Sequence, residues 1–194
     1  MLEMKTMGIV RRIDNLGRVV IPREIRRALR LREGDPVEIL ANRNGEVTLR
    51  KYSPIVESID FASEYTESLF QTLGHVALIC DRDVIISASG TYDNYAGQAI
   101  SAKLEKIIGE GKNLIAHRDG IPQPIPVLLA EEDEYESQLI IPIFLEEDAV
   151  GAVILVSHDP EKPMGEAESK TVQTVCGFIS KQMDGILARR YYGY

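Results

Sequence analysis

Seven arginines in a short stretch are the residues with the clearest chemistry. Residues 8–31, GIVRRIDNLGRVVIPREIRRALRL, hold Arg11, Arg12, Arg18, Arg23, Arg26, Arg27 and Arg30. A guanidinium stays charged and presents five N–H donors in a rigid fork, which matches phosphate oxygens and the acceptor edge of guanine. The chemistry on offer is the binding of a polyanion. Surface arginines are often merely solvated, or sit near a helix C-terminus where the macrodipole favours them by about 0.3–1 kcal/mol. What sets this stretch apart is its contrast with the rest of the chain. Residues 1–52 carry 12 Lys and Arg against 7 Asp and Glu, a net of +5, whereas residues 53–194 carry 10 against 23, a net of −13. Two domains of opposite charge are implied, and a polyanion is drawn to the first and repelled by the second.

Bond-making chemistry has no such signal in the sequence. The sequence holds no G-x-x-x-x-G-K-[ST], no G-x-G-x-x-G, no H-E-x-x-H and no G-x-S-x-G. His75, His117 and His158 are spread along the chain without a carboxylate or Cys at ligand spacing, which predicts surface or core histidines. Cys80 and Cys176 lie in apolar runs, which predicts buried, reduced thiols of a cytosolic protein. No catalytic residue, metal ligand or cofactor is assigned. No signal peptide is visible, and apolar stretches are broken by charge before the ~18 residues a membrane span needs. The expectation is a cytoplasmic protein with no membrane partner.

The elements that position the arginines follow from spacing. Pro22 suits the first helical position and Gly34 a helix stop. At about 100° per residue Arg23, Arg26, Arg27 and Arg30 share one helix face, with Ile25, Ala28 and Leu29 opposite. Upstream, residues 9–13 and 18–21 read as β-branched strands around the turn Asp14-Asn15-Leu16-Gly17. On a strand, Arg11 and Arg12 point to opposite faces, so one sheet aims both at a single partner only if it bends or a second chain completes the surface, a first hint of a dimer. Downstream, residues 37–40 and 46–51 flank Asn42-Arg43-Asn44-Gly45, a strong hairpin signal. An arm of 52 residues is near the size limit for closing a core, which again points to oligomerisation.

In this order G-I-V-R-R, L-G-R-V-V-I-P and R-R-x-L resemble the AbrB family of bacterial swapped-hairpin transcription factors over residues 5–52. The resemblance implies an interlaced homodimer that binds double-stranded DNA through Arg11, Arg12, Arg18, Arg26 and Arg27. Arg23 and Arg30 join them only from the helical wheel.

Lys51-Tyr52-Ser53-Pro54 reads as a hinge. Beyond it, the pattern predicts a helix over 54–73, strands over 75–80 and 84–88 around Asp81-Arg82-Asp83, and a helix over 94–108. An extended, proline-rich loop follows at 121–126 and an acidic loop at 131–136. Strands over 139–144 and 149–157 around Glu146-Glu147-Asp148 precede a long helix over 164–187. Helix, strands, helix, strands, helix is an α+β sandwich on an antiparallel sheet. That order, with D-R-D, G-A-V-I-L-V-S and M-G-E-A-E, is similar to a GAF sensor domain. GAF relatives bind small molecules under the segment corresponding to 91–126, where Tyr92, Asp93, Asn94 and Tyr95 offer polar groups; a plain surface turn is the competing reading. The cyclic-nucleotide pattern is not evident, so the ligand stays unknown.

The expected architecture is two domains: residues 1–52, an all-β-rich swapped-hairpin domain for dimerisation and DNA binding, and residues 53–194, a GAF-like α+β domain with an antiparallel sheet and flanking helices. Together the resemblances imply a transcription regulator of sporulation or stationary-phase genes. The GAF-like helices would join dimers into a homotetramer, and that domain would receive a small-molecule or protein signal. Two alternatives stand beside it, a toxin-neutralising, DNA-binding antitoxin and a GAF-based redox enzyme. The tail GILARRYYGY has no functional reading.

Overall fold

The chain folds as two units that divide between Tyr52 and Ser53. The computed structural model describes residues 9–53, 55–56, 59–91, 94–129 and 134–192. The expected hinge residue Pro54 lies outside the described residues, as do Tyr92 and Asp93 and part of the acidic loop.

In the first unit the arginine-rich stretch forms a turn and a short helix. The expected strands at 9–13 and 18–21 form no ladder within one chain. Only the turn between them closes, with the Asp14 amide donating to the Arg18 carbonyl at 3.0 Å and the Gly17 amide to the Asp14 carbonyl at 3.1 Å. A strand needs a neighbour to satisfy its backbone, and the apolar side chains here meet solvent instead, Val10 being 90% and Val20 77% exposed. Helix α1, Arg23–Ala28, starts one residue later than predicted, with Pro22 at its N-cap. It also ends earlier. The Leu31 amide donates to the Arg26 carbonyl at 2.7 Å, and Arg30 takes the left-handed conformation there, with φ 52°. Arg30 is therefore past the helix end, and the wheel does not extend to it. Gly34, φ 85°, serves a separate turn in which the Arg32 amide donates to Asp35 at 2.8 Å.

Strands β1, Val37–Ala41, and β2, Val47–Lys51, pair antiparallel around the predicted turn. Asn42 Oδ1 accepts the amides of Asn44 and Glu46, both at 3.0 Å. Pro22 is the one buried residue among 9–52. A single copy of this unit has almost no core.

The second unit is built on a five-stranded antiparallel sheet. Its strands are β3 (Val76–Asp81), β4 (Ile85–Ser89), β5 (Leu114–His117), β6 (Ser137–Leu145) and β7 (Asp148–Ser157), in the order β4-β3-β7-β6-β5. Both faces are covered, which is why the strands read as continuous apolar runs. Period-two alternation divides them. Ala77, Ile79, Leu139, Ile141, Val153 and Leu155 face helices α2 (Ile59–Leu73) and α4 (Glu166–Tyr192). Leu78, Cys80, Ile140, Ala152, Ile154 and Val156 pack with helix α3 (Ala102–Glu110) and the loops. Helix α2 presents Ala62, Leu69 and Leu73 to the first face, and α4 presents Val172, Cys176, Ile179 and Met183 at intervals of three or four residues.

The helix predicted at 94–108 is displaced. Residues 97–100 instead run beside β4, the Gly97 amide donating to the Ile85 carbonyl at 2.8 Å and the Ile85 amide to the Gln98 carbonyl at 2.9 Å. Ser101 then caps α3 by accepting the Leu104 amide at 3.1 Å, and Gly111 ends the helix with φ 64°. Strand β5 was not predicted; it is a four-residue edge paired with β6. The long helix α4 continues past its expected end into the tail.

Candidate nucleic-acid interface

The five arginines singled out for DNA, Arg11, Arg12, Arg18, Arg26 and Arg27, are all exposed, as are Arg23 and Arg30. Arg11, Arg12 and Arg18 flank the turn at 14–17, while Arg23, Arg26 and Arg27 lie on α1. The cations differ in how they are held. On the hairpin, Arg50 pairs with Glu38 directly across the strands, and Lys51 lies 3.0 Å from Asp35. Those charges are neutralised in place. Arg12, Arg23, Arg26 and Arg27 make no side-chain hydrogen bond or ion pair among the described residues, and Arg11 donates only to the neighbouring Val10 carbonyl at 3.1 Å. A string of unpaired guanidinium groups on an exposed surface is the electrostatic footprint that attracts phosphates.

Arg18 is different. Its Nε donates to Asp14 Oδ2 at 2.8 Å, and its amide donates to Asp14 Oδ1 at 2.8 Å. The Arg18 amide and then its guanidinium hold the Asp14 carboxyl below the usual carboxylate range. Sequence reading took Asp14 for turn chemistry alone. The signal for its second role was the four-residue spacing to Arg18 across a tight turn.

The second unit offers less to a ligand than its sequence suggested. Of the four polar residues proposed to line a pocket, two lie outside the described residues, Asn94 is exposed, and Tyr95 is 4% exposed within the core beside α3. Tyr95, expected as polar lining from its place in the segment corresponding to the GAF ligand region, instead packs into the core with α3. A cleft of about 320 Å³ lies nearby, lined by Arg118, Gln123, Glu134 and Tyr135 among others. Its cation is taken, since Arg118 pairs with Glu134 and, at 2.6 Å, with Glu136.

Neither thiol is poised for chemistry. Cys80 and Cys176 are free and buried, and desolvation raises both pKa values, that of Cys176 to about 12. His75 is buried, whereas exposed His158 tilts against the Tyr135 ring at 5.1 Å. Among the described residues no cluster of three His, Cys, Asp or Glu is placed to hold a metal, and no helix is long and apolar enough to cross a membrane.

Comparison with known proteins adds to this geometry. Residues 57–184 match the family described as stage V sporulation protein T C-terminal, transcription factor. Residues 10–57 match the bacterial antitoxin family described as antidote-toxin recognition MazE. Over 93% of this chain and 99% of the relative, the sequence is 46% identical to stage V sporulation protein T of Bacillus subtilis. Over 26% of this chain and 52% of the relative it is 51% identical to the transition state regulatory protein AbrB of the same organism. The second unit shares the GAF fold, with a TM-score of 0.54 and 15% identity to the GAF domain of an Acinetobacter phosphoenolpyruvate-protein phosphotransferase, covering 69% of this chain and 90% of that one. An AbrB-like unit joined to a GAF-like unit, matched along nearly its whole length, places the chain in the stage V sporulation protein T family of transcription factors.

Proposed function

We propose that this protein is a homo-oligomeric, cytoplasmic regulator that binds double-stranded DNA at promoters of sporulation or stationary-phase genes. Residues 1–52 are the DNA-binding and dimerisation domain, and residues 53–194 assemble dimers and receive a signal. The observation that carries the reading is the state of the first unit in one chain. Among its described residues it exposes arginines and large apolar side chains together, Val10, Ile13, Val20, Ile39 and Val47 among them, and buries only Pro22. A second copy that supplies the missing strand partners covers the apolar side and leaves the arginines for DNA.

On this reading Arg11, Arg12, Arg18, Arg26 and Arg27 of both chains line the DNA face. If six to ten phosphates are neutralised, affinity falls by roughly 10³–10⁵ between 50 and 200 mM salt. In the second unit, Phe178 on α4 and Phe61 on α2 are exposed, and a Cβ added at Gly177 would meet nothing within 4 Å. A glycine inside a helix costs about 0.8–1 kcal/mol relative to Ala, and Gly177 beside exposed Phe178 suits a face where a helix of another copy approaches closely and a tetramer forms. Avidity over two operator segments follows.

The test is fluorescence anisotropy on a promoter duplex and a scrambled duplex across a salt series, with light-scattering mass on the same sample. Tight, salt-steep binding at tetramer mass is expected. Absence of binding at low salt would overturn the reading and move the role of the basic arm to a protein partner, whereas co-purification of a small toxin would support the DNA-binding antitoxin alternative, which the match at residues 10–57 favours.

A further inference from the structure

The Asp14 carboxylate is engaged at both oxygens. Oδ1 accepts the amides of Leu16 at 2.9 Å and Arg18 at 2.8 Å, and Oδ2 accepts Arg18 Nε at 2.8 Å. The backbone closes the same loop, with the Asp14 amide donating to the Arg18 carbonyl at 3.0 Å. The turn thus fixes the carboxylate first, and the carboxylate then fixes the guanidinium by its inner edge. Exposed ion pairs usually gain little because two long side chains must be ordered; here only Arg18 is left to order. The outer Nη1 and Nη2 groups make no hydrogen bond among the described residues, and the Arg18 side chain remains 70% exposed.

Such a pair is poorly suited to phosphate. Its net charge is zero, and a phosphate approaching Arg18 also approaches the Asp14 anion. A neutral edge with two acceptors suffers no such repulsion, and guanine O6 and N7 form that edge in the major groove. Arg26 and Arg27 have no carboxylate partner among the described residues and suit the backbone. Resting on the DNA-binding reading above, we infer that Asp14 is a positioning residue that aims the outer edge of Arg18 at a guanine, making this arginine a reader of sequence rather than a neutraliser of backbone charge.

Asp14→Asn separates the two jobs of the carboxylate. Asparagine keeps an oxygen for the Leu16 and Arg18 amides but puts an NH₂ where Arg18 Nε needs an acceptor. The probes are a duplex selected from a random library by the wild-type protein and the same duplex carrying 7-deazaguanine, which lacks the N7 acceptor and keeps every phosphate. Wild type is expected to bind the deaza duplex about tenfold more weakly. Asp14→Asn should lose most of that difference, bind a scrambled duplex more tightly, and show a salt slope steeper by about 0.9 per freed arginine. Arg18→Ala should lose the deaza difference as well, with an unchanged circular dichroism spectrum. A wild-type protein indifferent to deazaguanine, or an Asp14→Asn protein that keeps the full difference, overturns the inference while DNA binding stands. A wild-type protein that binds no duplex removes the DNA reading itself, and this inference with it.

Discussion

Gly151 of β7 stands against Cys80 of β3 with no room for a side chain. A Cβ on Gly151 would come 2.1 Å from the Cys80 carbonyl oxygen and 2.4 Å from Ile55 Cδ1. The first of these is backbone of a paired strand, and it cannot turn aside as a side-chain tip would. Gly151→Ala therefore forces β3 and β7 apart at the end of their ladder, where Gly151 pairs with Asp81, and overpacking of this kind costs about 1–3 kcal/mol. In a thermal melt, the transition of the second unit should fall by about 2–4 °C for each kcal/mol. A melting temperature equal to that of wild type would mean that the strands part there at no cost.

The sheet that holds this contact was legible because its strands are covered on both faces, so β6 and β7 read as unbroken apolar runs. Helix α3 was placed too early for an identifiable reason. Tyr95, Ile100, Leu104 and Ile108 all reach the same core, yet the backbone before Ser101 belongs to the edge of β4. What fixes the start of α3 is the Ser101 hydroxyl, which also donates to the Pro126 carbonyl at 2.6 Å, a partner no local window contains. The strands at 9–13 and 18–21 failed differently. Their composition suits strands, but a ladder needs a neighbour, and one chain supplies none. The arginines were legible as a group; that Arg18 is held by Asp14 and the others are not required the turn in three dimensions.

His75 gives the fold a pH dependence near neutrality. It precedes β3, is 5% exposed, and its Nδ1 has no partner among the described residues. Burial lowers its pKa from the ordinary 6.5, opposed by Glu168 at the start of α4 and assisted by Lys162. The unfolded chain then binds the proton more readily than the folded one, so stability is full above pH 6.5 and declines as pH falls below it. Glu168 acts lower on the scale. Its carboxylate accepts the Gly165 amide at 2.7 Å, which lowers its pKa from 4.5, and its contribution is present above 4.5 and lost as pH falls through the folded value. Urea unfolding at pH 7.5, 6.5 and 5.5 should show a decline in wild type that is largely absent in His75→Gln. Parallel curves for the two proteins would assign the decline to other groups.

Arg26 and Arg27 test the DNA face without threatening the fold. Both are exposed on α1, neither has a side-chain partner among the described residues, and α1 buries no residue. Exposed substitutions away from such contacts change stability by about 0.5 kcal/mol or less, and Ala is the best helix former. The double change Arg26→Ala, Arg27→Ala should therefore leave melting temperature and light-scattering mass where they are. Promoter binding should weaken strongly at low salt, and the slope of log affinity against log salt should become shallower by about 0.9 for each arginine that meets a phosphate. Weakening should extend to scrambled duplexes in nearly equal measure, because backbone contacts position the protein without reading bases. That uniform loss is the opposite of the selective loss expected at Asp14 and Arg18, so the two variants measured side by side divide the arginines into those that hold DNA and the one that reads it. Undiminished binding by the double variant would move the interface off α1 altogether.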